Sequence, residues 1–71
     1  MSEGFYLLSF DIPRNFSTLR VRIFRELKKS GAKRIHHSLW KHKDLKFLIN
    51  IATLIKKKGG SALILEERLI F

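Results

Sequence analysis

AKRIHHSLWK, residues 32–41, is the stretch on which the fold turns. Its residues alternate well enough for one strand. Strand parity puts Arg34, His36, Ser38 and Trp40 on one face and Ile35, His37 and Leu39 on the other. A short extra strand near residues 38–43 would turn the order β-α-β-α-β into β-α-β-β-α-β. The segments on either side read more directly. FYLLSFDI, residues 5–12, is an aromatic-rich strand stopped by Pro13, the one proline of the chain, which has no N–H to donate. RNFS follows as a turn, and Ser17 is the expected N-cap of a helix over about residues 18–29, closed by Gly31. Asp44 caps a second helix running to about Lys58, where KKKGG supplies the cations and glycines that helix C-termini prefer. SALILEERLIF, residues 61–71, reads as one or two strands. The order fits an α+β, ferredoxin-like split βαβ domain over residues 1–71, with its third strand stunted or absent and its helices on one sheet face.

The first strand is apolar on both sides. Phe5, Leu7, Ser9 and Asp11 share one face; Tyr6, Leu8, Phe10 and Ile12 share the other. Two helices cover only one face, so the second needs another cover, and a second copy of the sheet in a two-fold homodimer is the economical one. Parity does not say which face is which. The second helix carries a stripe of Leu45, Leu48, Ile49, Ala52 and Ile55, widened by Phe47, Ile51 and Leu54 to about 220° of arc. One small sheet needs little more than about 100°; the surplus suits the first helix or a partner equally. A chain of 71 residues buries only about 60% of its unfolded surface. With no cysteine, disulfides and thiolate zinc sites are excluded, which again favours oligomerisation.

Charge bounds the function. The net charge is +9, and the segment Arg14–Lys58 holds fourteen Lys and Arg against two acids, Glu26 and Asp44. Such a surplus points to a polyanion, with RNA or DNA the default; the plainer reading is a Lys-rich domain without a ligand. No apolar run reaches the roughly 18 residues of a membrane helix. MSEGFY lacks the basic-then-apolar pattern of a secretory leader, so the expected location is the cytoplasm, away from membranes. There is no Walker A loop, no GxGxxG and no aromatic RNA-reading motif.

Against this background the acid Asp11 stands out. A carboxylate at the end of a strand, before a turn, is placed for a hard cation such as Mg²⁺, or for capping loop N–H groups beside Arg14. One carboxylate makes no metal site alone, but a dimer with strand ends at its axis would bring a second Asp11. Arg20 falls inside the apolar arc of the first helix and must snorkel, pair with Asp11 or hold a phosphate. Arg22, Arg25 and Lys29 form a separate stripe, either a solvated face or a contact to backbone phosphates. In RIHHSLW, Arg34, His36, Ser38 and Trp40 offer a cation, an imidazole, a hydroxyl and an aromatic surface; Trp40 reads as interface or core ahead of a stacking role. His36 and His37 point oppositely in a regular strand, which argues against one zinc ion between them.

YLLSFDIP, a basic helix and SGAKRIHHSLW together resemble the CRISPR-associated protein two (Cas-two) family, over roughly residues 5–40. Its members open with an apolar strand ending in Asp-Ile, often before Pro, then a basic helix, a Gly and a strand of the type Arg-Val-Gln-x-Ser-Val-Phe. Arg34, Ser38 and Trp40 fall at matching positions, with His36 where Gln is usual and Trp40 where Phe is usual. The resemblance implies a ferredoxin-like homodimer with facing sheets, and an Asp11 from each chain near the axis holding Mg²⁺. It also implies a metal-dependent endonuclease, or a scaffold that bridges the CRISPR integrase during spacer capture. The region after Trp40 is compressed, and EERLIF leaves little chain to engage an integrase. A non-catalytic binding module and a small toxin-like ribonuclease are the alternatives.

Overall fold

The computed structural model describes residues 4–67. They form β1 (Tyr6–Asp11), α1 (Ser17–Lys29), β2 (Lys33–His36), β3 (Leu39–His42), α2 (Leu45–Lys57) and β4 (Ser61–Glu66). The segment over residues 32–41 is therefore a hairpin and not one strand: the chain reverses at His37 and Ser38. The reversal pairs β2 with β3, so each half supplies ladder partners for backbone groups that a lone edge strand would leave open. The third strand is present, four residues long.

The sheet order is β2-β3-β1-β4, and all neighbours run antiparallel. This four-stranded sheet with two helices is an α+β architecture compatible with the ferredoxin-like arrangement. Register decides what parity left open. Leu8 lies between Trp40 and Ile64, and Phe10 opposite Ala62. Leu8, Phe10, Trp40 and Ala62 are buried in one core with Ile23 and Leu27 of α1 and Leu48 and Ile55 of α2. Phe24 of α1 meets the rings of Phe10 at 6.4 Å and Trp40 at 5.9 Å. Ser9, by contrast, lies between Leu39 and Leu63, and Leu7 opposite Leu65. Leu63 and Leu65 are 64% and 49% exposed, so this second face is uncovered.

The helices follow the sequence closely. Asp44 caps α2, its carboxylate accepting from the Phe47 N–H at 3.1 Å. Ser17, however, is the first residue of α1 and not its cap. Phe16 occupies the cap position because its carbonyl accepts the first helical bond, from the Arg20 N–H at 3.1 Å, and its phenyl ring has no acceptor to make a side-chain cap. The apolar arc of α2 is not uniformly buried: Leu48, Ile51, Ala52 and Ile55 are, while Leu45 and Ile49 remain exposed. β4 accounts for one strand of the segment 61–71; residues 68–71 lie outside the described residues.

Two tight contacts lock the ends of the sheet. A Cβ on Gly60 would stand 2.6 Å from the Asp11 carbonyl oxygen and 2.7 Å from Ile55 Cγ2, so only glycine lets the α2–β4 turn close there. At the opposite end, the Asp44 N–H donates to His42 Nδ1 at 2.8 Å. Nδ1 is thus the acceptor, and Nε2–H donates to the Ser30 carbonyl at 2.9 Å. One imidazole joins the end of α1 to the start of α2.

Candidate functional site

Three loops converge at the carboxyl end of β1. The Phe10 N–H donates to the Ser38 carbonyl at 3.0 Å, drawing the β2–β3 turn against the strand. The β1–α1 loop is held from α1: Arg20 Nη2 donates to the Ile12 carbonyl at 2.8 Å. Gly60 sets the third loop against the Asp11 backbone. Between the first two lies a cleft of about 250 Å³, with Phe10 and Phe24 among its apolar lining and Asp11, Arg20, His37 and Ser38 as its polar groups.

The carboxylate of Asp11 enters no side-chain hydrogen bond and no ion pair among the described residues. It caps no loop N–H, and Arg20 does not pair with it: the half-buried guanidinium snorkels to the Ile12 carbonyl instead. Its remaining N–H donors are left for another acceptor. Asp11 also borders a shallow depression of about 430 Å³ toward the uncovered face, with Ser9, Lys56, Ser61 and Leu63. A lone exposed carboxylate thus sits within reach of cationic side chains from both helices.

The remaining candidates are dispersed. Arg14 is exposed in the β1–α1 loop. Arg22 and Arg25 border one groove on α1 with Val21, and Lys29 is exposed further along. Arg34 stands opposite Trp40 on edge strand β2, outside the cleft. Arg34 and His36 do not share a face. The register shifts between them, so His36 stands opposite Leu39, in the row of Ser9 and Leu63. Trp40 offers no stacking surface. It is 1% exposed, and its indole N–H donates to the His37 carbonyl at 3.4 Å.

His37, not His36, is the histidine of the cleft, and parity could not find it because parity assumes a continuous strand. The polar run His36-His37-Ser38 was the available signal for a turn. Lys56 was likewise missed, since only the α2–β4 turn brings it beside Asp11.

The donor set limits what metal the cleft can hold. Asp11 is its one carboxylate, and no group of three or more His, Cys, Asp or Glu gathers among the described residues. Mg²⁺ keeps several waters and takes one or two carboxylates plus phosphate oxygens. One carboxylate in the cleft is too few to make such a site by itself.

Among the described residues no helix is long and apolar enough to cross a membrane. No family model matches the chain, and no curated protein is detectably similar to it in sequence.

Proposed function

We propose that this protein is a nucleic-acid-binding homodimer of the Cas-two type that hydrolyses phosphodiesters of RNA or DNA at Asp11. The observation that carries the reading is the Asp11 carboxylate, without a partner among the described residues, in a cleft with Arg20, His37 and Ser38, in a chain of net charge +9. The dimer is supported by the uncovered sheet face. Leu7, Leu39, Leu63 and Leu65 lie on it, and strand alternation puts Asp11 on the same side as Leu7 and Ser9. A second copy against that face would bring a second Asp11.

In this reading the Asp11 carboxylates of two chains would hold Mg²⁺, which when bound would polarise a phosphate and lower the pKa of a bound water. The free donors of Arg20 bind phosphate oxygens, with the Ser38 hydroxyl as a further donor. His37, at the exposed rim, is placed to take or give a proton. Arg22, Arg25 and Lys29 contact backbone phosphates without reading sequence. The setting is CRISPR spacer acquisition and defence against foreign nucleic acid, with the CRISPR integrase as a partner.

The test is cleavage of end-labelled RNA and DNA, single- and double-stranded, with and without Mg²⁺. Wild type cleaves only with Mg²⁺, and Asp11→Ala abolishes cleavage while binding persists. Equal cleavage by Asp11→Ala, or none by wild type, removes the catalytic reading. Binding without cleavage is the second reading, favoured by the single carboxylate each chain supplies.

A further inference from the structure

Phe16 is the one exposed Phe, Tyr or Trp side chain among the described residues; the others are buried or half-buried. Its ring lies beside the α2–β4 turn. Gly59, at φ +97°, carries no side chain where a Cβ would lie 3.6 Å from Phe16 Cε2. The ring borders a groove of about 340 Å³ whose charged lining is Arg22 and Lys58, with no acid; Asn15 and Thr18 add polar groups. That volume lies in the range of small-ligand sites, about 300–1,000 Å³.

We propose that this groove is a stacking subsite for an unpaired base of a single-stranded nucleic acid, RNA or DNA, with Arg22 and Lys58 on the flanking phosphates. The inference rests on the nucleic-acid reading above and narrows it to single strands. The aromatic ring supplies a π-surface for any base, and the two cations supply the electrostatic track. A duplex hides its base faces in its own stack and gains nothing from Phe16. The groove is also tied to the Asp11 end. Consecutive glycines of one turn lie beside both: a Cβ at Gly59 would come 3.6 Å from Phe16 Cε2, and one at Gly60 would come 2.6 Å from the Asp11 carbonyl oxygen. A strand lying over Phe16 leads across this turn toward Asp11.

The experiment is fluorescence anisotropy with labelled oligouridylate, oligothymidylate and a mixed duplex, each about twelve units long, within the span that single-strand-binding folds cover. Phe16→Leu keeps an apolar group against Gly59 but removes the π-face. It is expected to weaken both single strands about five- to a hundredfold, the range that base–aromatic stacking commands, and to leave the duplex unchanged. Phe16→Trp is expected to keep single-strand affinity, with its new exposed indole quenched on binding; Trp40, being buried, serves as the unresponsive background. Wild-type affinity of Phe16→Leu for single strands, or an unquenched indole, overturns the subsite and leaves the broader reading standing. If wild type binds no nucleic acid, both fall.

Discussion

The backbone N–H of Phe10 donates to the carbonyl of Ser38 at 3.0 Å, and this bond gives the β1 end its company. It extends the β1–β3 pairing into the β2–β3 turn, where His37 and Ser38 border the same cleft as Asp11 and Arg20. The carbonyl is presented there because Leu39 pairs with Ser9, and Trp40 with Leu8, placing the turn one step beyond the ladder.

Gly60 holds the other side of that end. Gly60→Ala places a methyl 2.6 Å from the Asp11 carbonyl oxygen, a backbone atom that cannot swing aside. The expected cost is about 1–3 kcal/mol, seen as a lower urea midpoint. Gly4→Ala, which meets nothing within 4 Å, is the control and leaves the midpoint unchanged. Equal midpoints for the two variants would show that the turn relaxes freely.

Trp40 is a core residue. Trp40→Ala is expected to cost about 3–5 kcal/mol, enough to unfold a domain of this size. Trp40→Phe keeps much of the volume against Phe24 and loses the indole bond to the His37 carbonyl. Its stability drops modestly while nucleic-acid affinity, measured by anisotropy, stays at the wild-type value. A large affinity loss in folded Trp40→Phe would return Trp40 to the binding surface.

The uncovered face predicts the oligomeric state. Leu63 and Leu65 project from β4 with 64% and 49% of their surface exposed. Sedimentation is expected to show a dimer for wild type and a folded monomer for Leu63→Lys with Leu65→Lys. Cleavage disappears with the dimer, because each chain brings one Asp11. A wild-type monomer at micromolar concentration would end the shared-metal reading.

His42 is a structural joint. His42→Phe preserves the ring beside Phe47, 5.4 Å away, but strands the Ser30 carbonyl and the Asp44 N–H. Both groups retain some access to water, so the expected loss is about 1–2 kcal/mol. Hydrogen exchange at Asp44 should quicken in the variant; an unchanged rate would mean that this bond contributes nothing.

In the proposed function, Arg22 and Arg25 supply part of the salt dependence of binding. Replacing both with Ala is expected to weaken binding alike for all sequences, and to lower the slope of log affinity against log salt by about two, one per phosphate contact. An unchanged slope would take α1 out of the interface.

The sequence by itself determined the elements whose signals are local. Pro13 ends β1 because it has no N–H for the ladder, and Asp44 starts α2 because its carboxylate caps a free backbone donor. It also determined that β1 is apolar on both faces, and that Asp11 ends it amid cations. Tertiary structure decided which face is covered, whether residues 32–41 are one strand or two, and which histidine joins Asp11. Alternation says only which side chains share a face. A turn at His37 and Ser38 and a register shift after Arg34 each reset that alternation. Both belong to the β2–β3 pairing, and β3 takes its place from β1, a strand some thirty residues earlier, whose backbone groups and apolar surface no local window contains.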